Sequence, residues 1–107
     1  MRIRMPRRKV REQFCLTYEL RGCQKAMDFL TAYYGVRRMR IILDGRRVPK
    51  KCCGVYFDNR ACFTRAGLKR RVVLHELYHH LVETKGLEMP IRLEEKQANT
   101  YAKNFLR

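Results

Sequence analysis

The feature that most constrains this chain is one apolar run of helical period that carries three chemistry-bearing side chains. From Leu68 to Lys85 the apolar positions are Leu68, Val72, Val73, Leu74, Leu77, Tyr78, Leu81 and Val82. They cover so wide an arc that the helix they predict is central and buried. Inside it stands His75-Glu76-Leu77-Tyr78-His79. His75 and His79 are four apart, so their rings leave one face of the helix. Two imidazoles placed so can hold one Zn²⁺ with Zn–N distances of about 2.0 to 2.1 Å. Glu76 is offset by one residue, poorly aimed to share the metal but able to take a proton from a water that zinc activates. This is the physical content of an HExxH motif. A helix holding these residues without a metal is the competing reading, but burying them with no metal and no hydrogen-bond partners would be costly. His80 points about 100° away from His79 and reads as a surface residue or a support to the ligands.

A catalytic zinc normally takes three protein ligands and keeps one open position. His75, His79 and His80 are the only histidines, so a carboxylate must complete the set. The last helix, predicted from about Pro90 to Leu106, offers Glu94 and Glu95. Ile91, Ala98, Ala102 and Phe105 share one face by helical spacing, and that face is expected to turn to the core. Glu95 falls on it, whereas Glu94 lies one residue round, nearer Gln97 and Tyr101. A carboxylate on a buried face needs a partner, and zinc is a sufficient one; an ion pair with Arg92 or Arg71 is the alternative. Asn99, four residues after Glu95, is placed to hydrogen-bond a zinc-bound histidine. The predicted metal set is therefore His75, His79 and Glu95, one Zn²⁺ per chain, with Glu76 as general base.

Length and composition bound what else the chain can be. Its 107 residues, 46% of them hydrophobic, suit a single globular domain, 1–107. No apolar run reaches the roughly 18 residues of a membrane span. The basic N-terminus MRIRMPRRKV lacks the apolar stretch of a secretory signal, so a cytoplasmic protein with no membrane partner is expected. Residues 1–11 are expected to fray as a mobile basic arm. Twenty-five Lys and Arg against ten acids give a net charge of +15. Such a field attracts polyanions and makes nucleic acid a candidate partner, against the plainer reading of a solvated basic surface. Five cysteines with no CxxC pair argue for free thiols rather than a disulfide framework.

The remaining pattern predicts an α+β fold. Phe14, Leu16, Tyr18 and Leu20 alternate as in a strand. Cys23, Ala26, Met27, Leu30 and Tyr34 follow at helical spacing, closed by Gly35. Alternation returns over 39–43, 53–57 and 61–64, with turns at Asp44-Gly45 and Asp58-Asn59. These segments are expected to form a small antiparallel β-meander ahead of the HExxH helix, which Gly86 ends, and the glutamate helix.

Taken together, HELYH and the later Glu95-Lys96-Gln97-Ala98-Asn99 resemble the HExxH and ExxA(N/D) motifs of gluzincin metallopeptidases. EKQANTYAKNFL is also similar to the corresponding segment of the ImmA/IrrE-type peptidases. Only 15 residues separate His79 from Glu95, a compactness that looks most like the archaeal minigluzincins. The likeness covers about Leu68 to Leu106 and implies a zincin-like fold. It implies a peptide or protein substrate, with zinc on His75, His79 and Glu95 and with Glu76 as general base, then general acid. It places the Cys62 region as an edge strand above the cleft, where an extended peptide adds. Larger gluzincins supply an oxyanion-stabilising side chain from a subdomain this chain lacks, which leaves Tyr101 or Tyr78 as candidates. The likeness also implies latency. The cleft would be blocked by the basic arm or by Asn104–Arg107, in cis or in a homodimer with mutual blocking. Two further readings compete: a nucleic-acid-associated protein that uses the metal fold as a scaffold for regulation, and a protein whose zinc is structural.

Overall fold

The computed structural model describes residues 3–107. It is a mixed α+β fold with helices α1 (Arg8–Arg21), α2 (Cys23–Tyr34), α3 (Arg70–Thr84) and α4 (Ile91–Phe105). Its three strands are β1 (Arg40–Leu43), β2 (Gly54–Phe57) and β3 (Arg60–Phe63). Helices and sheet share one core, in which Phe14, Met27, Leu30, Met39, Phe63, Leu77 and Phe105 are fully buried.

The first segment departs from expectation. Residues 14–20 form part of α1, not a strand. Phe14 is fully buried and Tyr18 half-buried, one helical turn apart, while Leu16 and Leu20 are 50% and 74% exposed. The alternation is broken by which leucines are wet, and a spacing of four fits the helix. Gly22 then separates α1 from α2 at φ 93°, and Gly35 caps α2 at φ 70° in the left-handed region. The described part of the expected arm, residues 3–11, contacts the rest of the fold; residues 1–2 lie outside the described residues. Pro6 is buried, Ile3 packs on the core, and the Tyr34 hydroxyl donates to the Arg4 carbonyl at 2.8 Å. From Arg8 onward the arm is helix α1, and Arg11 donates to the carbonyls of Asn104 and Phe105.

The three sheet segments fall where the alternation puts them, but their connection is not a meander. The strand order is β1-β3-β2, with β1 parallel to β3 and β2 antiparallel to it. Residues 44–53 carry the chain from β1 past β3 to the far edge, with a 3₁₀ turn at Gly45–Arg47 where a simple reversal was expected. The Asp58-Asn59 turn is as expected. Both residues have positive φ, 50° and 62°, the geometry of a type I′ hairpin whose twist matches its strands. Cys62 therefore lies on the central strand, 5% exposed, and is not on an edge. The edge strands are β1 and β2.

The loop entering β2 is fixed by a close approach. A Cβ at Gly67 would stand 2.0 Å from the Cys53 carbonyl oxygen, and that same carbonyl accepts the Thr64 N–H at 3.1 Å. Gly67→Ala must push Cys53 and the start of β2 aside. The expected cost is roughly 1–3 kcal/mol, read as a fall of several degrees in Tm by calorimetry.

α3 and α4 pack against one another as an antiparallel pair across the 85–90 connection, and α3 also packs on β2. Gly86, at φ 65°, ends α3 by a backbone reversal in which Leu87 N–H bonds the Val82 carbonyl. Ala98, Tyr101, Ala102 and Phe105 form the buried face of α4. Ile91 does not share it. It is 81% exposed at the first residue of the helix, overhanging the cleft between α3, α4 and β2. Among the described residues no helix is long and apolar enough to cross a membrane.

Candidate metal centre

The cleft is an open cavity of about 770 Å³, walled by α3, the start of α4 and the edge of β2. His75 and His79 enter it from one face of α3, their ring centroids 4.9 Å apart. Their Nε2 atoms lie 3.2 Å from each other. Glu95 reaches across from α4, with Oε2 3.0 Å from His75 Nε2 and Oε1 3.0 Å from His79 Nε2. Tetrahedral zinc with ligand bonds of about 2.0 to 2.1 Å has ligand–ligand edges of about 3.3 Å. Two nitrogens and a carboxylate bracket a point at that spacing, so this group could hold a metal ion. Glu95 arrives there for a different reason from the one its periodicity suggested. Its side chain is 52% exposed, on the cleft-facing border of α4 and not on its buried face.

The histidine support is Glu94, not Asn99. The Glu94 carboxylate accepts a hydrogen bond from His79 Nδ1–H, which turns the ring's Nε2 toward the cation position. Asn99 is exposed and lines the cavity wall. The doublet Glu94-Glu95 was the available signal: consecutive residues on a helix edge reach the two sides of one ring. Glu94→Gln loses the charge that holds this ring orientation. Zinc affinity is expected to fall about 10- to 100-fold, measured by competition with a chromophoric chelator.

Glu76 lies one residue round from His75, 6% exposed, on the cavity lining. Burial pushes its carboxyl up from 4.5 to about 7. The neighbouring Glu95 carboxylate adds to the rise, while His79 and the Tyr56 backbone N–H act against it. That N–H comes from β2, an edge strand with no further strand beyond it among the described residues. Gly54, Val55 and Tyr56 line the cavity alongside the exposed Cys52 and Cys53.

His80 is fully buried and so is not a surface residue, and its ring bonds Arg37 and Tyr56 rather than a residue of the metal group. Its Nε2–H donates to the Arg37 carbonyl at 2.6 Å, and its Nδ1 accepts from the Tyr56 hydroxyl at 2.9 Å. The Tyr56 oxygen in turn accepts the Asn59 N–H at 3.1 Å. Burial holds the imidazole below its ordinary pKa, so a neutral ring with both nitrogens satisfied ties α3 to the sheet. Tyr56→Phe strips one partner from that ring and is expected to cost about 1 kcal/mol, measured by urea denaturation.

Neither oxyanion candidate reaches the cleft. Tyr101 is buried behind α4, where its hydroxyl donates to Tyr34 at 2.7 Å, and burial raises its pKa well above the ordinary value. The Tyr78 hydroxyl donates to Gln97 at 2.5 Å. Both line a second cavity, shared with Ile3, Met5 and Asn104. Of the terminal segments expected to block the metal cleft, Ile3, Met5 and Asn104 line this second cavity, and among the described residues none of 3–11 or 104–107 lines the cleft; residues 1–2 lie outside the described residues.

No family model matches the chain, and no curated protein or solved structure matches it.

Proposed function

We propose that this chain is a zincin-like, zinc-dependent peptidase of the minigluzincin kind. The observation that carries the reading is the juxtaposition of the His75, His79 and Glu95 ligand atoms with buried Glu76, beneath the edge strand β2. Zinc, when bound, supplies Lewis-acid polarisation of water and of the scissile carbonyl. Three protein ligands leave a position open, which favours a catalytic over a structural metal. Glu76 takes the proton from the attacking water and returns it to the leaving amine, the paired task of a carboxylate placed beside the metal position. Glu94 keeps the His79 ring turned so that it offers Nε2. An extended peptide adds along β2, whose cleft-facing edge offers backbone groups besides the Tyr56 N–H that meets Glu76.

Elemental analysis of the dialysed protein tests the metal, with about one zinc per chain expected. Hydrolysis of unstructured peptides, abolished by a chelator and restored by zinc, tests the reaction. Absence of zinc with no uptake on addition would overturn the reading. Among the described residues no terminal residue lines the cleft, so the form of latency that fits this reading is blocking by a second copy. Self-association that rises with concentration while specific activity falls is the result expected of mutual blocking in a homodimer.

A further inference from the structure

A second surface, built on the sheet and independent of the metal site, has a chemistry of its own. Residues 36–71 carry 12 Lys or Arg against two Asp, whereas residues 72–107 carry five of each sign. The excess charge is therefore concentrated in the segment that contains the sheet, although Arg70 and Arg71 of it belong to α3 and Arg71 lines the metal cleft. Register sharpens this. Phe57 of β2, Arg60 of β3 and Arg40 of β1 are direct lateral neighbours, so they form one row across all three strands on one face. The neighbouring row, Tyr56, Ala61 and Ile41, faces the helices, with Ala61 fully buried and Ile41 packed on the core. The Phe57–Arg60–Arg40 row thus lies on the outer face.

This row violates two rules for a sheet that meets only water. Phe57 is 60% exposed. Arg40 and Arg60 sit side by side as like charges, a destabilising cross-strand pair, and neither has a carboxylate within ion-pair distance among the described residues. Arg37 stands at the same end, bonded to the neutral Asn59 side chain at 3.3 Å. Arg38 is there too, paired with Asp28, and Asp58 at the hairpin tip is the other acid nearby.

We propose that this outer face binds single-stranded nucleic acid. An exposed aromatic on a flat sheet face stacks a base, flanking arginines take the phosphates, and +10 over the surrounding segment draws the strand in. A folded acidic protein would supply charge but no base to stack on Phe57. A duplex keeps its bases stacked away from such a platform.

The test is titration of fluorescent oligo-U and oligo-dT, each against a duplex, heparin and anionic phosphatidylserine vesicles, at several salt concentrations. Either single strand should bind better than the duplex, and the two oligomers tell RNA from DNA. Phe57→Ala is expected to weaken binding about ten-fold by loss of one stacked base. The double change Arg40→Ala/Arg60→Ala should lower the salt slope by about 1.4, two single-strand phosphate contacts. Lys103→Ala, on exposed α4, should change neither, and circular dichroism verifies that each variant is folded. Three outcomes overturn the proposal. One is no binding to either oligomer at low salt. Another is equal binding to heparin, duplex or vesicles with Phe57→Ala unchanged. The last is an equal loss in Lys103→Ala, which would leave only a diffuse cationic surface.

Discussion

Glu76→Gln is expected to keep about one zinc per chain and to lose peptide hydrolysis by about 10²- to 10⁴-fold, the usual worth of a positioned general acid–base. The substitution is nearly isosteric, so the buried site keeps its volume, and the amide still accepts the Tyr56 backbone N–H that opposes the raised pKa. Glutamine cannot accept a proton from water or return one to an amine, so the loss falls on kcat as well as kcat/KM. The metal set is untouched, because His75, His79 and Glu95 meet one another without Glu76. Elemental analysis and progress curves on the same preparation check both halves. Cleavage at wild-type rate in a zinc-loaded Glu76→Gln protein would remove this residue from the chemistry and point to a contaminating protease. Loss of zinc together with activity would instead make Glu76 part of the metal set.

The parts of this site legible in the sequence are those written by local spacing. His75, Glu76 and His79 are fixed relative to one another by the turn of a single helix. Glu95 follows from a premise the structure corrects: apolar spacing predicts a buried Ile91 face, yet Ile91 is 81% exposed and Glu95 half-exposed. What singles out Glu95 is its reach over the cleft edge beside Glu94. Glu94, and not the expected Asn99, meets the His79 ring because one helix position decides which side chain faces it, and apolar periodicity does not resolve a single position at a helix border. Tyr101 was misplaced for the same reason, since a residue six positions after Glu95 can point to the opposite side of α4. The strand order was not legible at all. Alternation locates β1, β2 and β3 but says nothing of pairing, and the path of residues 44–53 past β3 is set by tertiary contacts. α1 failed on a genuine ambiguity, because Phe14 and Tyr18 satisfy both periods and only the exposure of Leu16 and Leu20 decides between them.

The metal-free protein is expected to lose stability as pH rises from about 4.5 to about 7. The Glu76 carboxyl has a higher pKa folded than unfolded, so the native state holds its proton through this window while the unfolded chain has released it. Stability then falls with rising pH, because the unfolded state binds fewer protons. The contribution is fully present below about 4.5 and gone above about 7. A rise of this size corresponds to at most about 3 kcal/mol at 1.36 kcal/mol per pH unit. The cause is the burial of an ionised carboxylate facing a second one on Glu95, with the His79 ring and one backbone N–H as its counterweights. Denaturant midpoints of chelator-treated protein between pH 4.5 and 8 measure the effect. The same series on Glu76→Gln isolates this carboxyl from every other group that titrates there, and the difference between the two curves should show the loss. Adding zinc at pH 8 should raise the stability of the wild type more than that of Glu76→Gln, because the cation offsets the buried negative charge only where that charge exists. Curves that run parallel for the two proteins would mean that Glu76 is solvated in the folded state and lacks the raised pKa.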